Sequence, residues 1–533
     1  MQYVKINKYC IIILYYAHNY QNPCILYALT NTNKNSIVIV YNYVRSGRMY
    51  LCPQPKQIEF SNGVFEFKDT PAAKRICNSS FDGEGYRLSV TESGITIYAG
   101  GENGFHAGEI TLKQLLMNCR GILPYLTVTD SPDYAYRGFM IDSCRHFFTV
   151  SEIKKMIDAA ELFKFNYFHF HLSDDQGFRI ESKVFPELTA IAATRKGSHF
   201  DIDDVTNEPY GPYFYTQEEL KDIVAYCRKK CITVIPEIDL PGHTGAILSA
   251  YPQLSCGGKK VEAKTTGGVF SDILCGGKAE TLDFLKKLAD ELCEIFTGEY
   301  FHIGGDEAPK DHWKKCPDCL AKMRELGFTD PEQLQGYIVN EMAAYLRTKG
   351  KKVICWNEAL RGGNVSSEGV TAAFWMDNTD ATIKWANAGN PVIYEKFTPY
   401  YADYPYGMHP LKAVYKHNPK ALHGLTETGK NAICGVESPV WTEHVRTFER
   451  MTYMCFPRWL AVAETGWNSG NKNYARFKKN AAFFCDILRE YGIKPAPESD
   501  WDSLPHKRLS EALGFFRRKM TKETVAALIK KEN

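Results

Sequence analysis

The sequence predicts an α/β protein: a (β/α)8 TIM barrel preceded by a small α+β domain. Two observations carry the prediction. From Tyr136 onward, short apolar strand candidates alternate with helix candidates, the pattern of a parallel sheet whose crossovers are helices. Eight such β units fall within roughly 350 residues, which suits a closed barrel. An open doubly wound sheet is the alternative. Its nucleotide-binding versions have no support, because no G-x-G-x-x-G follows the first strand and no G-x-x-x-x-G-K-S/T occurs.

Residues 1–47 read as an atypical extension. Lys5 and Lys8 precede an apolar run at 9–17 that has the rough shape of a signal-peptide core. The run is short, no small-x-small cleavage site follows, and it cannot span a bilayer. A β-rich run at 36–44 has no evident partner. Residues 48–130 form the small domain, with strand candidates at 63–67, 86–91 and 94–98, turn clusters such as Asp82-Gly-Glu-Gly85 between them, and helical spacing over 107–119. No catalytic constellation falls there, so its expected role is structural.

The barrel is expected over 131–490. Its strands are placed at 137–143, 167–172, 232–238, 300–303, 352–356, 372–375, 391–395 and 432–436, with helices at 151–164, 217–230, 280–296, 331–349 and 381–388. Ser151 is the candidate N-cap of the first helix. The helix at 331–349 opens on Pro331 and stops before Gly350, a conventional start and stop. Residues 491–533 read as a C-terminal helical tail.

Composition excludes several functions. The 533 residues are 44% hydrophobic and 24% charged with a net charge of +2, ordinary for a globular protein and unsuited to nucleic acid or an anionic membrane as main partner. Aromatics reach 13%, a hint of sugar-stacking surfaces that an aromatic-rich core would equally explain. The 17 cysteines are scattered without disulfide-like spacing, which reads as reduced thiols of a cytoplasmic protein. Cys316-Pro-Asp-Cys319 has the spacing of half a zinc site or a redox pair. No second Cys/His pair with ligand spacing lies near it, so neither metal nor cofactor is expected. Oligomeric state leaves no mark on the sequence.

In a (β/α)8 barrel the reacting groups sit at the C-terminal ends of the strands. Those ends carry Arg145 and His146; Ser173-Asp-Asp175; Glu237-Ile-Asp-Leu-Pro-Gly-His243; Asp306-Glu307; Trp356-Asn-Glu358; Trp375; Tyr400-Tyr-Ala-Asp403; and Trp441-Thr-Glu443. Neighbouring side chains in a strand point to opposite faces, so Asp306 and Glu307 can serve one ligand only if the chain leaves the strand there. Gly304-Gly305 before the pair and Pro309 after it allow that departure. No serine or cysteine is placed as a nucleophile. Three of the eight tryptophans fall at strand ends, as aromatic pocket walls would require.

At these motifs the chain resembles the glycoside hydrolase family 20 β-N-acetylhexosaminidases. The resemblance rests on Arg137-Gly-Phe-Met-Ile-Asp-Ser-Cys-Arg-His-Phe147, His169-Phe-His-Leu-Ser-Asp-Asp-Gln-Gly-Phe-Arg179, Pro236-Glu-Ile-Asp-Leu-Pro-Gly-His243, His302-Ile-Gly-Gly-Asp-Glu307 and the stretch from Gly435 to Glu443, all in the family's order. It implies an enzyme that removes terminal GlcNAc or GalNAc from N-acetylhexosamine-containing glycans with retention. The substrate's own acetamido oxygen is the implied nucleophile, passing through an oxazolinium intermediate. Alternatives are a disaccharide-releasing enzyme like lacto-N-biosidase and a non-catalytic sugar-binding protein of the same fold.

The resemblance also implies roles. Glu307 is the acid and then the base, Asp306 orients the acetamido N–H, and Tyr401 donates to the acetamido oxygen. Arg145 grips ring hydroxyls, with Asp403 and Glu443 as further hydroxyl-binding acids. Asp174 and His243 lie behind the acid, and Trp356, Trp375 and Trp441 wall the pocket. Three positions depart from the family pattern: Asn357 stands where an acid is expected, Glu437 where an amide is usual, and Ala402 between Tyr401 and Asp403. They put the outer sugar contacts in question. The long loop from 245 to 279, with Cys256-Gly-Gly and Cys275-Gly-Gly, remains unplaced.

Overall fold

The computed structural model describes residues 2–6, 9–13, 49–119, 121–202, 204–376 and 379–519. The chain divides into two compact units, one of residues 1–51 and 57–130, the other of 52–56 and 131–533. At the N-terminus Gln2–Ile6 pairs antiparallel with Tyr9–Ile13, so the start of the apolar run is a strand. The run at 36–44 and the tail beyond 519 lie outside the described residues.

In the first unit five strands form one sheet in the order Gln57–Glu66, Ile122–Asp130, Tyr86–Thr91, Gly94–Ala99 and Lys74–Cys77. Tyr86, Leu88 and Val90 alternate inward along their strand, the period-2 burial of a sheet with one covered face. The helix Glu102–Met117 buries Phe105, Ile110, Leu112 and Leu115. It begins five residues before the expected start, and two strands, Lys74–Cys77 at the sheet edge and Ile122–Asp130 inside it, were not expected. Lys74–Cys77 is mostly exposed and therefore carries no alternating apolar signal.

The second unit is a closed barrel of eight parallel strands: β1 Tyr136–Asp142, β2 Tyr167–His171, β3 Thr233–Glu237, β4 Tyr300–His302, β5 Lys352–Trp356, β6 Val370–Phe374, β7 Val392–Tyr394 and β8 Ile433–Val440. Each pairs with its chain neighbours, and β8 closes on β1 from Gly435↔Tyr136 to Val440↔Ile141. All eight expected strands form, each within a few residues of its expected bounds. They are short and almost wholly buried, because barrel interior and surrounding helices cover both faces.

Among the helices, α1 Val150–Leu162 follows β1, α2 Gln217–Arg228 precedes β3, and α3 Ala279–Ile295 precedes β4. After β4 come α4 Pro317–Glu325 and α5 Pro331–Thr348. The cap of α1 is Thr149, not Ser151: its hydroxyl accepts from the Glu152 N–H, and the Glu152 carboxylate accepts from the Thr149 N–H. Both Ser and Thr cap well, and the glutamate three residues on selects Thr149.

The loop after β3 settles one expectation the other way. Ser255 bridges antiparallel to Leu274, and Cys275 N–H donates to Leu254 O at 2.8 Å. This pairing carries Cys256 and Cys275 to the N-terminus of α4, where Cys316 and Cys319 stand. Cys316 and Cys319 thus have a second pair beside them, contrary to the sequence argument. Spacing along the chain could not reveal it, because the partners come from a different βα loop.

Candidate active site

The chain leaves β4 through two glycines in conformations that favour glycine, Gly304 with φ +63° and Gly305 with φ +110°. A Cβ on Gly304 would lie 1.7 Å from Asp239 Oδ1. Glu307 is itself held at φ +42° and His243 at φ +50°, the left-handed region that costs a non-glycine residue energy and clusters at functional sites. This backbone brings Asp306 and Glu307 to one pocket with different exposure: the Asp306 side chain is 10% exposed and the Glu307 side chain 33%.

The two carboxyls differ in proton affinity. Burial raises Asp306 to about 6, against the pull of the His243 cation and with the Glu307 charge adding to the rise. Burial also pushes Glu307 up, but the hydrogen bond and charge of His243 outweigh it and hold Glu307 below the usual glutamate value. Behind the pair is Asp239, which the sequence reading passed over. Burial, then the Asp306 charge, keep its carboxyl far above the carboxylate range, so it holds its proton beside Asp306. Gly305 N–H donates to Asp239 Oδ1 at 3.0 Å, fixing its orientation.

His243 links the pair to the strand-2 end. Its Nε2 lies 3.4 Å from Glu307 Oε2 and 3.8 Å from Asp306 Oδ2, while Nδ1 faces Asp174 Oδ1 at 3.3 Å and Asp175 Oδ2 at 3.2 Å. Burial disfavours the imidazolium, yet Asp174 foremost, then Asp175 and Glu307, keep His243 protonated well above its ordinary value. Asp174 also receives Arg145 Nη2 at 2.7 Å and His171 Nε2 at 2.9 Å. These cations overcome its burial and hold it well below the carboxylate range.

Arg145 is 5% exposed and occupied on every side: Nε donates to Gln176 Oε1 at 2.9 Å, Nη1 to Asp142 Oδ2 at 3.2 Å, and Nη2 lies 3.8 Å from Glu443 Oε1. The structural ion pair is therefore present, and the guanidinium also spans two acids of the pocket rim. Its carbon lies 5.0 Å over the Trp441 ring.

Beneath the pocket is a buried network that sequence reasoning missed. Glu237 accepts from His169 Nε2 at 3.0 Å and Trp356 Nε1 at 2.8 Å, and pairs with His171 Nδ1 and with His302 Nδ1 at 3.1 Å. Against burial, the carboxylates of Glu437 and Glu237 raise His169 to about 9, and chiefly Glu237 raises His171 to about 10. His169, Glu237 and His302 lie close enough to share an ion, and burial holds His302 below the ordinary imidazole value. Only inward alternation along β2 could have pointed to them.

Two departures from the family pattern find their places here. Glu437 accepts from His169 Nδ1 at 2.7 Å and from Tyr136 OH, inside the barrel; facing it, Glu395 is kept neutral by burial and then by the Glu437 charge. Asn357 Nδ2 donates to Met376 O at 3.1 Å, and its Oδ1 accepts from Trp375 N–H at 3.3 Å. Neither position is an outer sugar contact; one supports the pocket floor and the other holds Trp375.

The aromatic residues converge. Trp375 stacks on Tyr401 at 6.1 Å between centroids, Tyr401 lies 6.2 Å from Trp441, and Trp441 6.1 Å from Trp356. Trp356 has no accessible surface, so it backs this cup rather than walling it as expected. Among the described residues the buried Trp375 indole N–H has no partner. Asp403 Oδ1 faces the Trp441 N–H at 3.5 Å, and burial, then the Glu443 charge, raise its carboxyl to about 8. All eleven residues singled out in the sequence thus meet around one strand-end pocket.

A (β/α)8 barrel with a carboxylic pair and an aromatic cup at its C-terminal mouth is the kind of site in which a barrel enzyme could hold a sugar between two acids. The catalytic-domain profile of glycosyl hydrolase family 20 matches residues 134–470, and the profile of that family's domain 2 matches residues 68–131. The chain belongs to glycosyl hydrolase family 20. It is 38% identical over 440 residues to a β-hexosaminidase of Porphyromonas gingivalis, covering 78% of this chain and 55% of that protein. It is 33% identical over 471 residues to a β-hexosaminidase of Akkermansia muciniphila, 84% of this chain and 93% of that one. The chain spans about half the length of the first relative and nearly all of the second. Among solved structures, a β-N-acetylhexosaminidase of Bacteroides fragilis superposes with TM-score 0.75 at 30% identity, covering 86% of this chain and 99% of that one. A family 20 exo-β-N-acetylglucosaminidase of Vibrio harveyi in complex with N-acetylglucosamine does so with TM-score 0.74 at 29% identity, covering 84% and 78%.

Proposed function

We propose that this chain is an exo-acting β-N-acetylhexosaminidase that removes terminal GlcNAc or GalNAc from glycans with retention, using the substrate's acetamido oxygen as nucleophile. The observation that carries the reading is the unequal Asp306–Glu307 pair. Asp306 is buried against a neutral Asp239 and suited to accept the acetamido N–H, whereas Glu307 is the more exposed and placed for the leaving oxygen. Accepting the N–H requires Asp306 ionised, so binding expels its proton as Glu307 needs one. Glu307 then protonates the leaving oxygen and later takes a proton from water, a role worth on the order of 10²–10⁴-fold. The held acetamido oxygen attacks the anomeric carbon with an effective molarity of about 10⁵ M or more. Ionised Asp306 offsets the positive charge of the oxazolinium ring.

Tyr401 would donate its hydroxyl to the acetamido oxygen, with Trp375 and Trp441 enclosing the group and excluding water. Arg145, Asp403 and Glu443 would take the ring hydroxyls, and His243 with Asp174 would set the proton affinity of Glu307. The test is a panel of aryl β-glycosides with and without the 2-acetamido group. Turnover of aryl GlcNAc or GalNAc, with the plain glucoside slower by about 10⁵-fold or more, is expected. Comparable cleavage of the glucoside would overturn the reading. Preferential release of a disaccharide from aryl lacto-N-biose would replace exo-action on single sugars.

A further inference from the structure

We propose that Cys256, Cys275, Cys316 and Cys319 form a structural zinc site that clamps the loop after β3 to the loop that carries the catalytic pair. The proposal is independent of the substrate reading. Cys275 Sγ lies 3.5 Å from Cys319 Sγ and 3.7 Å from Cys316 Sγ, and Cys256 Sγ lies 3.8 Å from Cys319 Sγ. All four sulfurs fall within 4.8 Å of one another. Four thiolates around one ion at Zn–S distances of about 2.3 Å sit about 3.8 Å apart at tetrahedral angles, the separation found here. Cys275 is shared between two neighbours rather than matched with one, as ligands of a common centre are and disulfide partners are not.

The surroundings are built for close approach. Cys256-Gly-Gly258 and Cys275-Gly-Gly277 are two small turns, and Cys316-Pro-Asp-Cys319 opens α4 with the C-x-x-C spacing of a zinc ligand pair. A Cβ on Gly277 would lie 2.2 Å from the Asp318 carbonyl carbon and 2.3 Å from Cys319 N, so only glycine lets the Cys275 turn seat on the helix turn. Lys278 Nζ ties the turn before Cys256 through Gln253 O at 2.7 Å and Ser255 O at 2.8 Å. Trp313 Nε1 donates to Leu274 O at 2.9 Å and shields the cluster. Binding would release the thiol protons and leave a buried ion held by four thiolates.

The site lies on the route to the pocket. Cys316 follows Glu307 by nine residues, and the loop between Cys256 and Cys275 supplies Thr266 O to Gln176 Nε2 at 2.9 Å, behind Arg145. Pinning both ends of that loop fixes its middle against the rim.

The test is metal analysis of the full chain purified without added metal, by mass spectrometry of the elements and titration with a mercurial. About one zinc per chain, released as four thiols react, is expected. The Cys256→Ser variant, at the half-buried corner, should lose most of it, and Cys77→Ser, an exposed thiol elsewhere, should keep it. Cobalt replacement should produce the visible bands of tetrahedral thiolate coordination. Removing zinc with a strong chelator should lower the thermal midpoint, and zinc should restore it. Two disulfides among the four cysteines, four free thiols that take up no zinc on refolding, or stoichiometric iron would each overturn the proposal.

Discussion

His243 Nε2 stands 3.4 Å from Glu307 Oε2 and 3.8 Å from Asp306 Oδ2, so one imidazolium serves both carboxyls of the pair. It lowers the proton affinity of each, and burial opposes it at each. The balance leaves the shared proton on Asp306, whereas the proposed reaction needs it on Glu307. The two arrangements bind the same number of protons, so their ratio does not vary with pH, and the limbs of a rate profile belong to the pair.

The pH dependence follows. Below the lower limb both carboxyls are protonated and Asp306 cannot accept the acetamido N–H; above the upper limb both are ionised and no acid remains. The kcat/KM for aryl GlcNAc is expected to fall above about 6, where Asp306 has also ionised, and again on the acid side, below the usual glutamate range, where Glu307 protonates as well. His243→Gln removes the cation that lowers both affinities, so both limbs should move to higher pH. Limbs that stay in place would show that His243 does not tune the pair.

Glu307→Gln should lower kcat by on the order of 10²–10⁴-fold on substrates with a basic leaving group. The loss should shrink as the aryl leaving group becomes more acidic, because a good leaving group needs little protonation. Rates across a series of substituted phenols check this. An equal loss at every leaving group would remove Glu307 from the acid role.

Arg145→Lys should cost about 1–3 kcal/mol of stability, since an ammonium cannot span Asp142, Asp174 and Gln176 and leaves buried acceptors short of a donor. Denaturant unfolding would measure it. A variant as stable as the parent, with KM raised, would assign Arg145 to substrate alone.

Asp403→Asn should stabilise the chain while weakening the sugar site. The folded value of about 8 lies above the unfolded carboxylate value of 3.8, so this group's contribution is fully present below 3.8 and is lost as pH rises toward 8. Asparagine removes that loss, and its thermal midpoint should exceed the parent's more at pH 8 than at pH 4. Activity should fall by about tenfold, the worth of one hydrogen bond to a polar group. A midpoint gain that does not vary with pH would contradict a neutral buried Asp403.

The barrel was legible in the sequence because its eight strands are buried on both faces, which writes short, nearly continuous apolar runs between amphipathic helices. Its pocket was legible because such a barrel presents ligands only at strand ends, and the acids and tryptophans fall there. Asp239, Asp175 and Glu237 stood in the same motifs but could not be ranked. A side chain's proton affinity depends on what is packed against it: Asp239 is raised by burial and then by the Asp306 charge, whereas at Asp306 the His243 cation opposes the rise. The departures at Asn357 and Glu437 were visible as letters, yet whether each faced sugar, backbone or barrel interior was a matter of orientation.

By itself, then, the sequence determined the barrel, the position of Asp306 and Glu307 at the end of its fourth strand, and the set of residues around them, since hydrophobic period and chain order are local properties. The tertiary structure alone decided which carboxyl keeps its proton, that Trp356 stands behind the cup, and that Cys256 and Cys275 meet Cys316 and Cys319. Each of those depends on through-space distance between segments 40 or more residues apart, and no spacing along the chain encodes it.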